Sequence, residues 1–200
     1  MLLNRVEYAL MNNPIRAAIQ QHYEAPRLLG MGGSMSGGRA LELGCGRGVG
    51  TELILGVFGA DSVDAFDLDS RMVMQARARL ATYGSRVRIW VGDASVISVA
   101  EGTYDAVFDF GIIHHVPDWR RVLAEVHRVL KPGGRFYAEE MLRGFIVHPI
   151  TCLLLDHPQN DRFDAKAFRR ELGVTGFERI AERKLGNSVA WFTASKPSAV

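Results

Sequence analysis

Apolar residues in this chain recur with two alternating periods. Short apolar-rich runs at about 40–43, 62–66, 87–91, 104–110 and 135–140 read as buried strands. Between them the spacing turns helical. Met72, Val73, Ala76 and Leu80 share one face of a segment from about Ser70 to Thr82. Trp119, Val122, Leu123, Val126 and Val129 form the stripe of another helix, opened by Pro117 and ended by Lys131-Pro132-Gly133-Gly134. A further helix is expected at about 50–58. Strand–helix units joined by short connections predict a mostly parallel sheet covered on both faces.

The flanks follow other rules. Leu3, Val6 and Leu10, then Ile15, Ala18 and Ile19, predict a helical extension over 2–24 that restarts at Pro14, with Asn13 as its cap. Residues 30–38, rich in Gly, Ser and Met, read as a flexible linker, so 1–38 is expected as extension and linker and 39–200 as the main domain. After Glu140 the alternation stops. A lid-like segment, 141–160, precedes a short helix near Asp164, and 176–181 with 188–195 suit an antiparallel hairpin at the sheet edge.

Composition narrows the function classes. Two hundred residues suffice for one domain with a sizeable core. Lys and Arg number 24 against 22 Asp and Glu, a net charge of +2 with no long basic run, which gives no footing for nucleic acid. The two cysteines, Cys45 and Cys152, form no metal quartet or disulfide array. The N-terminus lacks a basic leader with an uninterrupted apolar core, so a cytoplasmic protein is expected. The longest apolar run, Phe145 to Leu155, carries His148 and Pro149 and falls short of the roughly 20 residues a spanning helix needs. Peripheral contact with lipid stays compatible with it.

The chemistry concentrates at Glu42-Leu43-Gly44-Cys45-Gly46-Arg47-Gly48, a strand running into a glycine-dense bend before a helix. Glycines let backbone turn sharply and approach a ligand, and the next helix offers unpaired amides. A nicotinamide-dinucleotide fingerprint requires G-x-G-x-x-G, and that pattern fails in both registers, at Val49 and at Thr51. Further acids follow at strand ends. Asp67 stands where a carboxylate can accept from ribose hydroxyls, or cap a turn, and Asp69 suits the cap of the next helix. Asp93 follows the third strand in Gly92-Asp93-Ala94.

The E-x-G-x-G-x-G form, with Asp67, Gly92-Asp93-Ala94, Tyr104-Asp105-Ala106-Val107 and Arg128-Val129-Leu130-Lys131-Pro132-Gly133-Gly134 in order, resembles class I S-adenosylmethionine-dependent methyltransferases over about residues 40–140. The likeness is to their small-molecule branch, which includes quinone-biosynthesis and phospholipid methyltransferases. It implies a Rossmann-like three-layer α/β sandwich with a seven-stranded sheet ordered 3-2-1-4-5-7-6 and an antiparallel last strand. It also implies S-adenosylmethionine as cofactor, held by Glu42, Gly44, Cys45, Gly46, Gly48, Asp67, Leu68, Asp93, Ala94 and Phe110. Cys45 is expected as a small residue beside the ligand rather than a nucleophile. Asp109 is expected near the cofactor or in a local bond.

On the acceptor side, the resemblance favours His115, in Ile113-His114-His115-Val116, as the catalytic or substrate-contacting residue; a loop-shaping role competes. Glu139 and Glu140 alternate in direction, so one is expected to face the cleft or to pair with Arg143. Residues 141–172 are expected to build the acceptor pocket, with Phe145, Ile146, Ile150, Leu153 and Leu154 apolar and His148, Asp156 and His157 polar. No metal site is expected, because those three do not share a helical face. Tyr8 or Tyr23 of the extension can reach a ligand. Strand four ends Asp109-Phe110-Gly111-Ile112, without the Asn/Asp-Pro-Pro-Tyr/Phe signature of several base and protein methyltransferases. The expected function is methyl transfer to a small, hydrophobic molecule. A NAD-dependent oxidoreductase and a non-catalytic nucleotide-binding module stand as alternatives.

Overall fold

The computed structural model describes residues 4–11, 13–155 and 160–198. Its N-terminal arm contains α1 (Arg5–Met11), α2 (Pro14–Ile19), a π-turn at Gln20–Glu24 and α3 (Ala25–Gly32). The Asn13 side chain accepts from the Arg16 amide at 2.9 Å, with Pro14 in the first turn, so a cap and a proline restart the helix. The linker expected over 30–38 is shorter than its glycine content suggests, because α3 runs through Gly32. Ala25 and Leu28 are buried against the sheet, Arg135 donates to the Gly32 carbonyl at 2.6 Å, and the Tyr137 hydroxyl donates to that of Gly33 at 2.8 Å.

The alternating part then unfolds in order: β1 (Arg39–Leu43), α4 (Val49–Gly56), β2 (Ser62–Asp67), α5 (Ser70–Arg79), β3 (Val87–Val91), β4 (Tyr104–Phe110), α6 (Trp119–Val129) and β5 (Leu130–Met141). Asp69 and Asp118 cap α5 and α6 by accepting from Arg71 and Arg121 amides. α5 is shorter than its apolar face suggests: a 3₁₀ segment, Ala81–Arg86, replaces its end. β5 begins earlier than 135. Tyr104 pairs with Leu130, the register slips, and Ala106 pairs with Arg135, so Lys131–Gly134 bulges out within the strand.

Beyond β5 lie two short helices, α7 (Arg143–Ile146) and α8 (Pro149–Leu154), then α9 (Ala165–Thr175), β6 (Glu178–Leu185) and β7 (Val189–Ser195). Gly176, at φ 102°, caps α9, which delays the hairpin's first strand to Glu178. The seven strands lie in the order 3-2-1-4-5-7-6, with β7 antiparallel to both neighbours. Two apolar layers sandwich the sheet. One gathers Trp119, Leu123, Val126, Phe168 and Phe192; the other gathers Leu28, Leu53, Phe58, Val73 and Phe108. Among the described residues no helix is long and apolar enough to cross a membrane.

Candidate active site

A cleft of about 390 Å³ opens at the carboxyl ends of β1, β2, β3 and β4, where an open α/β sheet offers its loops to a ligand. The glycine bend explains its floor. Gly44, Gly46 and Gly48 take φ of 62°, 50° and 88°, a left-handed conformation at every second residue that side-chain-bearing residues resist. Gly44, Cys45 and Gly46 line the cleft. Gly48 does not; it turns into α4, and a Cβ built there would run into Leu80 at 2.7 Å.

Three acids reach the same cleft. Glu42 is buried in β1 and accepts from the Thr51 hydroxyl. Burial pushes its carboxyl up to about 8, opposed by Thr51 and reinforced by Asp67. Asp67 accepts from the Gly46 amide at 2.9 Å and the Asp69 amide at 2.8 Å, so it ties the bend to the end of β2. Its partial burial raises it, against those hydrogen bonds. Asp93 accepts from the Ser95 amide and hydroxyl at 2.8 and 2.7 Å, which hold it low. Leu68, Ala94 and Phe110 complete this side. Cys45 is buried, and desolvation with the charges of Glu42 and Asp67 drives its thiol strongly up, away from thiolate.

The same cleft is lined by His115, from the turn Ile113–His115 after β4, together with Ile112, Val116 and Pro117. His114 lies behind it, with Nδ1 at 2.6 Å from Glu140. Glu139 and Glu140 do point apart, yet neither lines the cleft, and neither pairs with Arg143. Glu139 accepts from Trp191 Nε1 at 3.0 Å and from Arg16 at 3.2 Å; Glu140 turns to the histidine turn. Asp109 is fully buried beneath that turn, away from the cleft lining.

The described part of 141–172 stands apart from this cleft. None of the described residues of that segment lines the cleft. Ile146 is buried in its own packing, while Leu153 and Leu154 project into solvent. Asp156 and His157 lie outside the described residues, as does the side chain of Ile150. The N-terminal arm contributes Tyr8, Arg16, Ala17 and Gln20 instead. Tyr23 sits elsewhere, edge-on to Trp191. Arg16 forks between Glu24 and Glu139, and Tyr8 accepts from Gln75 of α5 at 3.1 Å, so the arm spans the cleft. Arg16, Gln20 and Glu24 stand four apart, a polar stripe on a helix otherwise amphipathic. That spacing is the signal by which sequence alone could have found them.

A methyltransferase domain family model matches residues 40–134. The phthiotriol/phenolphthiotriol dimycocerosates methyltransferase of Mycobacterium tuberculosis is 32% identical over 180 residues, 89% of this chain and 57% of that protein. A ubiquinone/menaquinone biosynthesis C-methyltransferase of Desulfotalea psychrophila is 32% identical over 128 residues, 64% of this chain and 51% of its own length. The chain thus spans little more than half the length of these curated relatives. The crystal structure of the PH0226 protein from Pyrococcus horikoshii OT3 superposes with a TM-score of 0.74 at 24% identity, covering 94% of each chain, which is a likeness of fold. The glycine bend, the acids at successive strand ends, the sheet order and these matches agree: residues 40–134 match the methyltransferase domain family, and the fold is that of the class I S-adenosylmethionine-dependent methyltransferases.

Proposed function

We propose that this chain transfers a methyl group from S-adenosylmethionine to a small, hydrophobic acceptor held in the cleft. The observation that carries the reading is that Glu42, Asp67 and Asp93, at or near the ends of three successive strands, line one cleft together with His115. The residues fit the family's cofactor. A Cβ built on Gly46 would meet nothing within 4 Å, so bare backbone faces the cleft there, and the acids provide acceptors for hydroxyl and amino groups.

Asp67 is assigned to the ribose hydroxyls, Asp93 and the Ala94 amide to the adenine edge, and Glu42 to the cationic amine end, with Phe110, Leu68 and Cys45 packing alongside. When bound, the cofactor supplies an electrophilic methyl on a positive sulfur. The protein's share is alignment, which in favourable intramolecular cases is worth about 7–11 kcal/mol. His115 is assigned to take the proton that an oxygen, nitrogen or acidic carbon releases on methylation. An apolar acceptor suits Ile112, Val116, Pro117 and Ala17, which share the lining with that histidine, and two of the similar proteins are a phthiotriol/phenolphthiotriol dimycocerosates methyltransferase and a ubiquinone/menaquinone biosynthesis C-methyltransferase.

An acceptor screen that follows S-adenosylhomocysteine release, with product mass to place the methyl, tests this. Turnover with lipophilic acceptors is the expected result. A strict preference for nucleic acid or charged peptide would remove the hydrophobic acceptor. A melting shift with NAD but none with S-adenosylhomocysteine would remove the methyltransferase reading.

A further inference from the structure

The turn that presents His115 hangs on two buried acids that the cleft itself does not use. Asp109 of β4 pairs in register with Ala138 of β5, and Glu140, two residues on, points to the same face of the sheet. Both side chains are fully buried. Glu140 Oε1 accepts from the Ile113 amide at 2.7 Å. Its Oε2 meets the His114 amide at 3.2 Å and His114 Nδ1 at 2.6 Å. Asp109 Oδ1 accepts from the Ile112 amide at 2.9 Å. Three consecutive amides, 112 to 114, are therefore held by two carboxyl groups. From the other side Arg162 donates to the His114 carbonyl at 2.5 Å.

The donors decide where the charge sits. Backbone amides can only donate, so Glu140 receives hydrogen bonds on both oxygens, which suits a carboxylate. Asp109 Oδ2 is buried without a hydrogen-bond partner among the described residues. A bare carboxylate oxygen in that position is costly, whereas a proton on it makes Asp109 a neutral acid facing Glu140. Two carboxyls this buried do not both ionise cheaply: burial and the charge of Glu140 raise the Asp109 carboxyl well above its usual range, while burial raises Glu140 against the hydrogen bonds it receives.

We propose that Asp109 and Glu140 form a proton-sharing pair, Asp109 neutral and Glu140 charged, that positions the 112–115 turn and so aims His115 into the cleft. They are positioning residues, acting through the turn rather than touching substrate. The inference rests on the assignment of His115 to the acceptor side, and its test separates the two.

Asparagine at 109 reproduces the neutral acid: its oxygen accepts from Ile112 and its amide donates to Glu140. Glutamine at 140 has only one acceptor oxygen for donors that now occupy two, so one donor is lost. Asp109→Asn is expected to keep turnover within about threefold of wild type, whereas Glu140→Gln loses at least about tenfold in kcat, a part of the roughly 10²–10⁴-fold that a positioned proton acceptor contributes. S-adenosylhomocysteine affinity of both should stay within about threefold, measured by calorimetry. Imidazole ¹⁵N spectra of the wild type should show a hydrogen on His114 Nδ1, kept in Asp109→Asn. Equal losses in the two variants, an unimpaired Glu140→Gln, or a bare His114 Nδ1 in the wild type would each overturn the pair. If Glu140→Gln fails to fold, Asp109→Asn against Asp109→Ala decides it, with only the asparagine expected to retain the wild-type melting temperature. If no acceptor is turned over at all, the methyl-transfer reading fails while the ¹⁵N result still judges the pair.

Discussion

At the scale of single residues, burial decides what each acid of the cleft can do. Asp67 spends both oxygens on backbone amides, and those bonds fix the bend against β2. Asp67→Ala should therefore weaken S-adenosylhomocysteine binding by at least about tenfold in calorimetric titration, since hydrogen bonds to a charged group contribute about 1.5–3 kcal/mol. Glu42 behaves differently. Its folded carboxyl titrates at about 8 against an ordinary 4.5, so the folded state holds a proton that the unfolded chain releases between those values. Stability from this group is full below about pH 4.5 and is lost as the pH rises through 8. Urea unfolding of the ligand-free protein at pH 5 and pH 8 should show that decline, and Glu42→Gln should flatten it. Sequence showed that Glu42 stands two residues before the bend. It could not show the enclosure that raises its carboxyl, because burial there is supplied by Thr51, Gly50 and Phe110 from other elements.

At the scale of elements, one helix offers a paired test of packing against propensity. α4 contains Gly50 and Gly56, and alanine in a helix is ordinarily favoured over glycine by about 0.5–1 kcal/mol. A Cβ at Gly50 would lie 2.0 Å from Glu42 Oε1 and 2.7 Å from the Phe110 ring, whereas at Gly56 it meets nothing within 4 Å. Gly56→Ala should raise the melting temperature slightly; Gly50→Ala should lower it and weaken cofactor binding together. Propensity alone predicts the same sign for both. The elements themselves were largely legible. The stripe of Trp119, Val122, Leu123, Val126 and Val129 is buried throughout, as its 3.6-residue period requires, and Asn13, Asp69 and Asp164 cap the helices that follow them. Boundaries failed where a distant group overrode local composition. Gly32 stays helical because Arg135 grips its carbonyl, and Lys131–Gly134 bulges because β5 pairs on both sides of it.

At the scale of the whole molecule, the N-terminal arm is part of the cleft rather than an appendage to the sheet. Arg16 holds it there, its guanidinium shared by Glu24 and the buried Glu139. Removing that cation leaves two acids without it, a loss that at buried pairs is strongly destabilising. Arg16→Met should speed amide hydrogen exchange across 13–32 while β1 and β4 keep their protection. Unchanged exchange in the arm would show that its apolar contacts with the sheet hold it alone. By itself the sequence determined the alternation of strands and helices, the glycine bend and the acids at strand ends, because those depend on periods and turns a few residues long. Only the tertiary structure decided which segments wall the cleft, that Gly48 packs away from it, and that Asp109 and Glu140 meet beneath the histidine turn. Those outcomes join residues tens of positions apart, and local patterning carries no record of which distant side chain will close over a given strand end.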